Sequence, residues 1–139
     1  MLEKNIPHLM KHTDMQICDI GAERTVLAMM LLDPDEIMIR SRESLGCRLG
    51  SWLFNDEKHV QIYNAILYLR GHEKDITGDN IVKYLLRRDN LDAAGGIPYI
   101  GDFMSAVSTS AHFEIYAGIV RNYARLRQLI HELKENANL

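Results

Sequence analysis

Hydrophobic residues recur at helical spacing along most of the chain, and no segment shows the alternation typical of a β-strand. From Ala22 to Leu32 nearly every residue suits a helix and few are charged, which predicts a buried core helix. That helix should end near Asp33, because Pro34 has no amide hydrogen to donate and restricts the residue before it. The same two residues predict the start of a second helix to about Ser44, with Asp33 as the cap and Pro34 at the first position.

The middle of the chain predicts two further helices after an irregular connection. Residues 45–54 contain two glycines and break the helical period, and their apolar end is expected to pack back onto the core. Asn55 is the predicted cap of a third helix, which Gly71 ends. Thr77 is the predicted cap of a fourth, which stops in a turn at residues 89–90.

The glycine pair Gly95-Gly96 raises the question of a phosphate-binding loop. Such a loop needs a glycine followed by lysine and a hydroxyl residue, or GxGxxG after a strand, and neither pattern occurs in the chain. We therefore interpret the pair as a hinge that permits positive φ and a close approach of two helices. Pro98 follows at a good first helical position, so a short fifth helix is predicted here.

The last predicted helix is the longest, from about Ala111 to Glu135. At a rise of about 1.5 Å per residue it would measure nearly 40 Å, whereas a compact domain of about 110 residues is roughly 35 Å across. Apolar residues nevertheless continue along it and need a partner surface. They are Tyr116, Ile119, Val120, Tyr123, Leu126, Leu129, Ile130 and Leu133. Self-association or pairing with another helix is favoured, and folding back along the globule is the alternative.

These elements define an all-α fold class: a compact orthogonal globule of about five helices, followed by a long C-terminal helix. The predicted divisions are an N-terminal arm over residues 1–19, a globular domain over residues 20–109 and the long helix over residues 110–139. Such arms are commonly mobile in solution.

The composition of the chain narrows the classes of function that it could have. The 139 residues are 47% hydrophobic and carry a net charge of −3, so the molecule as a whole does not attract a phosphate backbone. Any contact with nucleic acid would have to come from a local patch. Cys18 and Cys47 form no CxxC pair, and no apolar run is long enough to cross a membrane. We expect a cytoplasmic protein with reduced thiols and no membrane partner.

Candidate chemical groups have simpler explanations. His8 and His12 share a helical spacing but have no third ligand nearby, so solvated histidines are favoured over a metal site. Asp33 and Asp35 are explained by helix capping and need no acid–base role. Five arginines are interspersed with acidic residues, which indicates solvent-exposed faces. These arginines are Arg40, Arg42, Arg48, Arg87 and Arg88. The residues therefore indicate an interaction module without catalytic groups.

Four short motifs occur in order along the chain, each combining apolar positions with a few distinctive polar residues or glycines. They are Ala22, Glu23, Val26, Leu27, Leu31, Leu32, Asp33 and Pro34; Phe54, His59, Ile62 and Tyr63; Gly95, Gly96, Tyr99 and Ile100; and Tyr116, Ala117, Ile119, Val120, Arg127, Leu129 and Ile130. With them the chain resembles the N-terminal domain of DnaB-type replicative DNA helicases over roughly residues 22–130. Departures at Gly21, Ala28, Val60 and His112, and a poor fit over residues 37–51, indicate a divergent member.

The resemblance implies the amino-terminal collar of a hexameric helicase. In that family helical hairpins of neighbouring subunits pair, and the collar recruits primase and takes part in loading. The implied pairing surface is the apolar stripe of the last helix together with Arg127. The second hairpin helix, the linker and the RecA-like ATPase domain fall outside this chain. ATP and magnesium would belong to that domain, so the chain itself is expected to need no cofactor, to hydrolyse no ATP and to contact DNA only weakly or indirectly.

Other functions remain as alternatives. A stand-alone adaptor of a mobile element or phage could share the fold and bind a host helicase or primase, and the sequence alone does not separate it from an excised domain. A primase C-terminal domain is disfavoured by the Leu-Leu-Asp-Pro and Gly-Gly-x-x-Tyr motifs. A small DNA-binding regulator is disfavoured because it should contain a basic recognition helix, whereas the net charge of this chain is negative.

Overall fold

The structure is a computed structural model that describes residues 17–45 and 51–137. Within these ranges the chain forms six α-helices, one short 3-10 turn and no β-strand. The helices are α1 (Ile20–Leu32), α2 (Pro34–Leu45), α3 (Glu57–Gly71), α4 (Gly78–Arg87), α5 (Gly96–Met104) and α6 (Phe113–Ala137), and the 3-10 turn is Ser51–Leu53. The predicted all-α class is confirmed. His8, His12, Cys47, Arg48 and most of the predicted arm lie outside the described residues.

Helix α1 is the centre of the globule and packs against α2, α3, α5 and α6. Asp19 caps it, with its Oδ1 accepting a hydrogen bond of 2.9 Å from the Ala22 amide. From Val26 to Leu31 every residue is buried, because this helix is apolar around its whole circumference. The prediction of a buried core helix is confirmed, with Glu23 as a buried charged residue that the pattern did not predict.

The joint between α1 and α2 lies at Asp33, as predicted. The Asp33 amide donates to the Met29 carbonyl at the end of α1, and its carbonyl accepts from the Ile37 amide in the first turn of α2. Pro34 then occupies the first position of α2, where no amide hydrogen is needed.

The caps of α3 and α4 test two sequence predictions. Thr77 caps α4 as predicted, through a 3.1 Å bond from the Asn80 amide to its hydroxyl. The prediction of Asn55 as the cap of α3 is wrong by one residue: Asp56 is the cap, with its Oδ1 accepting from the Lys58 amide at 2.9 Å. The Asn55 amide instead donates to the Glu23 carboxylate, so a tertiary contact sets its position.

The connection before α3 packs onto the core as predicted. Leu53 and Phe54 are buried and Trp52 is half-buried, although residues 46–50 lie outside the described part. The start of α5 is two residues earlier than predicted, at Gly96, so Pro98 occupies the third position of the helix. Proline is tolerated there because the first-turn amides have no partner inside the helix.

Helix α6 packs on α1 and α2 through one narrow seam. Four buried residues at spacings of four, three and four form this inner seam: Phe113, Ala117, Val120 and Ala124. Their small size after Phe113 lets α6 approach α1 closely. The helix has 25 residues, which corresponds to about 37 Å at the standard rise of about 1.5 Å.

A paired charge fixes the start of α6 against α2. The Arg40 guanidinium donates from Nε to Glu114 Oε1 at 2.6 Å and from Nη2 to Oε2 at 2.7 Å, and Nη2 also reaches the Ser110 carbonyl at 3.2 Å. These bonds lower the pKa of the Glu114 carboxyl from 4.5 to about 2. Since the Glu114 side chain is 52% exposed, we expect the pair to contribute no more than about 1 kcal/mol.

We expect this contribution to vary with pH in a defined direction. Because folding lowers the pKa of Glu114, its stabilisation should be fully present above about pH 4.5 and should be lost as the pH falls towards 2. Urea unfolding of wild type and Glu114→Gln should therefore differ at pH 6, and the difference should shrink by more than half at pH 3. Glu132→Gln, an exposed site on the same helix, is the control. A difference that is constant with pH would contradict the assignment.

Candidate protein interaction surface

A buried polar network joins α1, α3 and α5 at the centre of the globule. Glu23 is 2% exposed and His59 is fully buried, and His59 Nδ1 lies 2.8 Å from Glu23 Oε1. The other ring nitrogen, Nε2, lies 2.7 Å from the Tyr99 hydroxyl. Glu23 Oε2 accepts from the Asn55 amide at 2.9 Å, and Oε1 accepts from the Asp56 amide at 3.3 Å. Three helices are thus held in register by one carboxylate and one imidazole.

The Glu23 partner of His59 fixes the direction of one hydrogen bond. A carboxylate oxygen can only accept, so Nδ1 carries the proton that it donates to Glu23. The Tyr99 hydroxyl can donate to Nε2 or accept from it, so it satisfies that nitrogen in either role. Burial raises the pKa of Tyr99 above its usual value of 10.0, which keeps this hydroxyl protonated. The network joins three helices through these hydrogen bonds, so we assign it a structural role.

The glycine pair places Tyr99 in this network. Gly95 has φ of +95° and Gly96 has φ of +80°, both in the region that favours glycine. A Cβ atom at Gly95 would lie 2.8 Å from Cβ and Cγ of Tyr99. The predicted hinge, with positive φ and a close approach, is therefore confirmed. The absence of a Cβ at Gly95 leaves room for the side chain of Tyr99, which contacts His59.

Arg127 ties α6 to the start of the described chain. Its Nη1 donates to the Ile17 carbonyl at 2.9 Å, and Nη2 donates to the carbonyls of Leu53 at 3.1 Å and Trp52 at 3.3 Å. Burial lowers the pKa of Arg127 from its usual value, while the nearby Glu23 acts in the opposite direction. Arg127 therefore follows the inner seam along α6, and its guanidinium donates hydrogen bonds to three backbone carbonyls.

The structure divides the predicted apolar stripe of α6 between two faces. Val120 lies in the inner seam, while Tyr116, Ile119, Tyr123 and Ile130 are half-buried. On the outer side a second set of residues repeats at alternating spacings of four and three. This outer seam consists of Ile115, Ile119, Asn122, Leu126, Leu129 and Leu133. Its leucines are about half exposed, at 47% for Leu126, 51% for Leu129 and 55% for Leu133.

The outer seam includes two residues that sequence reasoning missed. Ile115, which is 61% exposed, and Asn122 complete the repeat. The alternating spacing is the signature of helices that pair side by side, and it could have been found by testing a period of 3.5 residues alongside 3.6.

No group of three or more His, Cys, Asp or Glu side chains in the described ranges could hold a metal ion. No described helix is both long and apolar enough to cross a bilayer. The candidate functional sites that remain in these ranges are the outer seam of α6 and the surface of the globule.

The family model for the DnaB-like helicase N terminal domain matches residues 15–122 of this chain. The chain belongs to this family. Two curated relatives illustrate the match. Replicative DNA helicase DnaB of Mycobacterium leprae is 38% identical over 112 residues, which are 81% of this chain and 18% of the relative. Replicative DNA helicase DnaC of Bacillus subtilis is 34% identical over 114 residues, which are 81% of this chain and 24% of the relative.

Solved structures show the same domain fold. The crystal structure of the N-terminal domain of DnaB helicase from Mycobacterium tuberculosis superposes with a TM-score of 0.75 at 32% identity, covering 87% of this chain and 84% of that one. A DnaB-like replicative helicase, solved in a study of its interactions with primase, gives a TM-score of 0.70 at 24% identity and covers 86% of this chain and 28% of that one. This chain therefore spans about a quarter or less of the full-length helicases it matches.

The residues behind the family resemblance now have physical roles in this DnaB-type domain. Glu23, His59 and Tyr99 come from three separate motifs and meet in one buried network. Gly95 provides the space for Tyr99. Arg127, from the fourth motif, anchors α6 to the globule. Most of the motif residues thus build the domain, while Ile119 and Leu129 of the fourth motif belong to the outer seam.

Proposed function

We propose that this domain is a pairing and recruitment module of a replicative helicase assembly. The observation that carries the proposal is the outer seam of α6, whose leucines stay about half exposed while the inner seam of the same helix is buried. Exposed apolar residues repeating along one helix face are typical of a surface that another helix covers. The proposed occupant is a helix of a second subunit.

The composition of the outer seam supports pairing of defined geometry. Asn122 interrupts an otherwise apolar series between Ile119 and Leu126. A single polar residue at such a position fixes the register of paired helices, because a shifted partner would leave its amide buried without a hydrogen bond. The proposed interface is therefore weaker than an all-leucine one but more selective.

The expected strength of pairing follows from the area available. Covering a half-exposed leucine is worth about 1 kcal/mol, so Leu126, Leu129 and Leu133 from two chains would contribute about 6 kcal/mol. Association costs about 4–15 kcal/mol of translational and rotational freedom. These leucines alone therefore leave at most about 2 kcal/mol in favour of pairing, so measurable pairing of the isolated chain needs the other apolar residues of the outer seam as well.

Recruitment of primase and a loader is proposed for the same module. A fold shared with a helicase studied for its interactions with primase supports the primase part of this role. In this proposal ATP and magnesium act elsewhere in the assembly, and this domain supplies contact surfaces alone.

Pairing is tested with a double substitution in the outer seam. Leu126→Asp plus Leu133→Asp would place four carboxylates in the interface of a dimer, so its mass should stay that of a monomer. Wild type should instead show a rising average mass between about 10 and 500 μM in sedimentation equilibrium, the range of weak association.

The matched control is Arg125→Gln plus Gln128→Asp. It changes the net charge by the same amount at exposed positions of α6 outside the outer seam, and should leave pairing unchanged. Equal masses for wild type and the seam variant would remove the pairing claim. The immobilised wild-type chain should also retain purified primase, and a chain that pairs but retains none would limit the proposal to subunit pairing.

A further inference from the structure

A small cleft on the globule, far from the outer seam in sequence, combines cations with two tyrosines in contact. It lies between the end of α3, the loop that follows it and one face of α4, and has a volume of about 200 Å³. We call it the basic cleft, and its lining residues are Tyr68, Leu69, Lys74, Asn80, Lys83, Tyr84, Arg87 and Arg88. The side chain of Asn80 fixes one wall by donating to the Asp75 carbonyl at 2.8 Å.

The charge in this cleft is unbalanced. Four of its lining residues are cationic and none is acidic. The ammonium of Lys83 lies 3.1 Å from the carboxylate of Asp79. Both side chains are exposed, so solvent weakens the attraction between them. Lys74, Arg87 and Arg88 form no ion pair in the described part of the chain. The cleft therefore offers local positive potential on a chain whose net charge is −3.

The tyrosines form a platform with a guanidinium on it. The rings of Tyr68 and Tyr84 lie 4.6 Å apart, and His72 stacks on Tyr68 at 4.0 Å. The Arg88 guanidinium lies 4.5 Å from the Tyr84 ring centre and 5.3 Å from that of Tyr68. A stacked guanidinium keeps its N–H edges free for oxyanions, and its plane can itself stack on a nucleobase.

We propose that the basic cleft binds single-stranded nucleic acid. Phosphates would contact Lys74, Lys83 and Arg87, and an unstacked base would lie against the Tyr84–Arg88 platform. Grooves that combine cations with aromatic faces bind single strands without sequence preference. A duplex is disfavoured because its bases are stacked on one another and leave no free face for the platform. An acidic peptide would satisfy the charges but leave the platform unused.

The proposed binding is weak and local. A chain of negative net charge with one such cleft should bind a short single strand with a Kd of about 10⁻⁶ to 10⁻⁴ M, the range of non-specific contacts. Each phosphate contacted should add about 0.7 to the slope of log K against log salt concentration. This inference does not depend on pairing through the outer seam.

The test uses fluorescence anisotropy with a labelled twelve-residue oligothymidine and the full 139-residue chain at 50 mM salt. Arg87→Glu plus Arg88→Glu, both exposed and at the end of α4, should weaken binding at least tenfold and lower the salt slope. Arg42→Glu plus Arg125→Glu makes the same change in net charge at exposed sites outside the cleft. It should stay within twofold of wild type, and circular dichroism checks that both variants fold.

Three probes separate the ligand classes. An abasic strand with the same phosphates should bind at least fivefold more weakly than oligothymidine, because it cannot stack. A duplex of equal length and a decamer of glutamate should compete poorly. The proposal is overturned by equal losses in both double variants, by equal binding of the abasic strand or the acidic peptide, or by no binding at 100 μM protein.

Discussion

Glu23→Ala is expected to lower the free energy of unfolding by about 3–5 kcal/mol, because removing one partner of a buried, hydrogen-bonded polar network leaves the others unsatisfied. The substitution would leave the buried His59 Nδ1 without its acceptor, and the partly buried backbone amides of Asn55 and Asp56 without theirs. Water cannot replace the carboxylate at low cost, since Glu23 and His59 are almost completely buried. Urea or thermal unfolding of the isolated chain measures the change.

Two further variants make this result specific. Glu23→Gln keeps an acceptor for one amide and should cost less than Glu23→Ala. Glu132→Ala removes an exposed glutamate from α6 and should change stability by less than about 0.5 kcal/mol, as is usual for surface sites. If Glu23→Ala cost no more than Glu132→Ala, the network would not hold α1, α3 and α5 together.

Gly95→Ala is expected to destabilise the domain by about 2–4 kcal/mol, since it combines a strained backbone with a steric clash. The left-handed conformation at φ of +95° costs a residue with a Cβ about 1–2 kcal/mol. The added Cβ would also lie 2.8 Å from Tyr99, which must then move away from His59. Chemical unfolding gives the loss, and near-ultraviolet circular dichroism reports the displaced tyrosine.

The adjacent glycine is the matched control. Gly96 has φ of +80°, but the nearest atom to an added Cβ there is Pro98 Cδ at 3.6 Å, an ordinary contact. Gly96→Ala should therefore show only the backbone strain of about 1–2 kcal/mol. Equal losses at the two glycines would mean that the space beside Tyr99 is not what requires Gly95.

The helices could be predicted from sequence because their signals are local. Capping residues, prolines and apolar spacing set the ends of α1, α2 and α4 closely. The cap of α3 was displaced by one residue because Glu23, distant in sequence, binds the Asn55 amide. A local pattern contains no information about such a contact.

The buried network was not predicted, although its residues were noted individually. His59 and Tyr99 are 40 positions apart, and helical periodicity does not say which polar side chains meet in the core. One signal was available: Glu23 is a charged residue in a helix that otherwise predicts complete burial. A charge in such a helix requires a partner, and a histidine in a second apolar helix was a candidate.

The surface features were the hardest to predict. The long helix and its excess of apolar residues were found, but the division into inner and outer seams depends on which face meets α1. Arg87 and Arg88 were interpreted as part of a solvated face. The structure brings them together with Lys74, from the preceding loop, and two tyrosines in contact. Only Lys83 and Arg87, four residues apart on α4, gave a local sign of that cluster.

The anchoring of α6 at Arg127 has a mechanical consequence. From Gln128 to Ala137 no described residue is buried, and this stretch of about 15 Å continues α6 as a lever beyond the Arg127 anchor. A tilt of the globule by about 10° would displace the far end of the lever by about 2.6 Å, given that length. A small rotation of the globule would therefore shift any partner that is bound at the C-terminal end of α6.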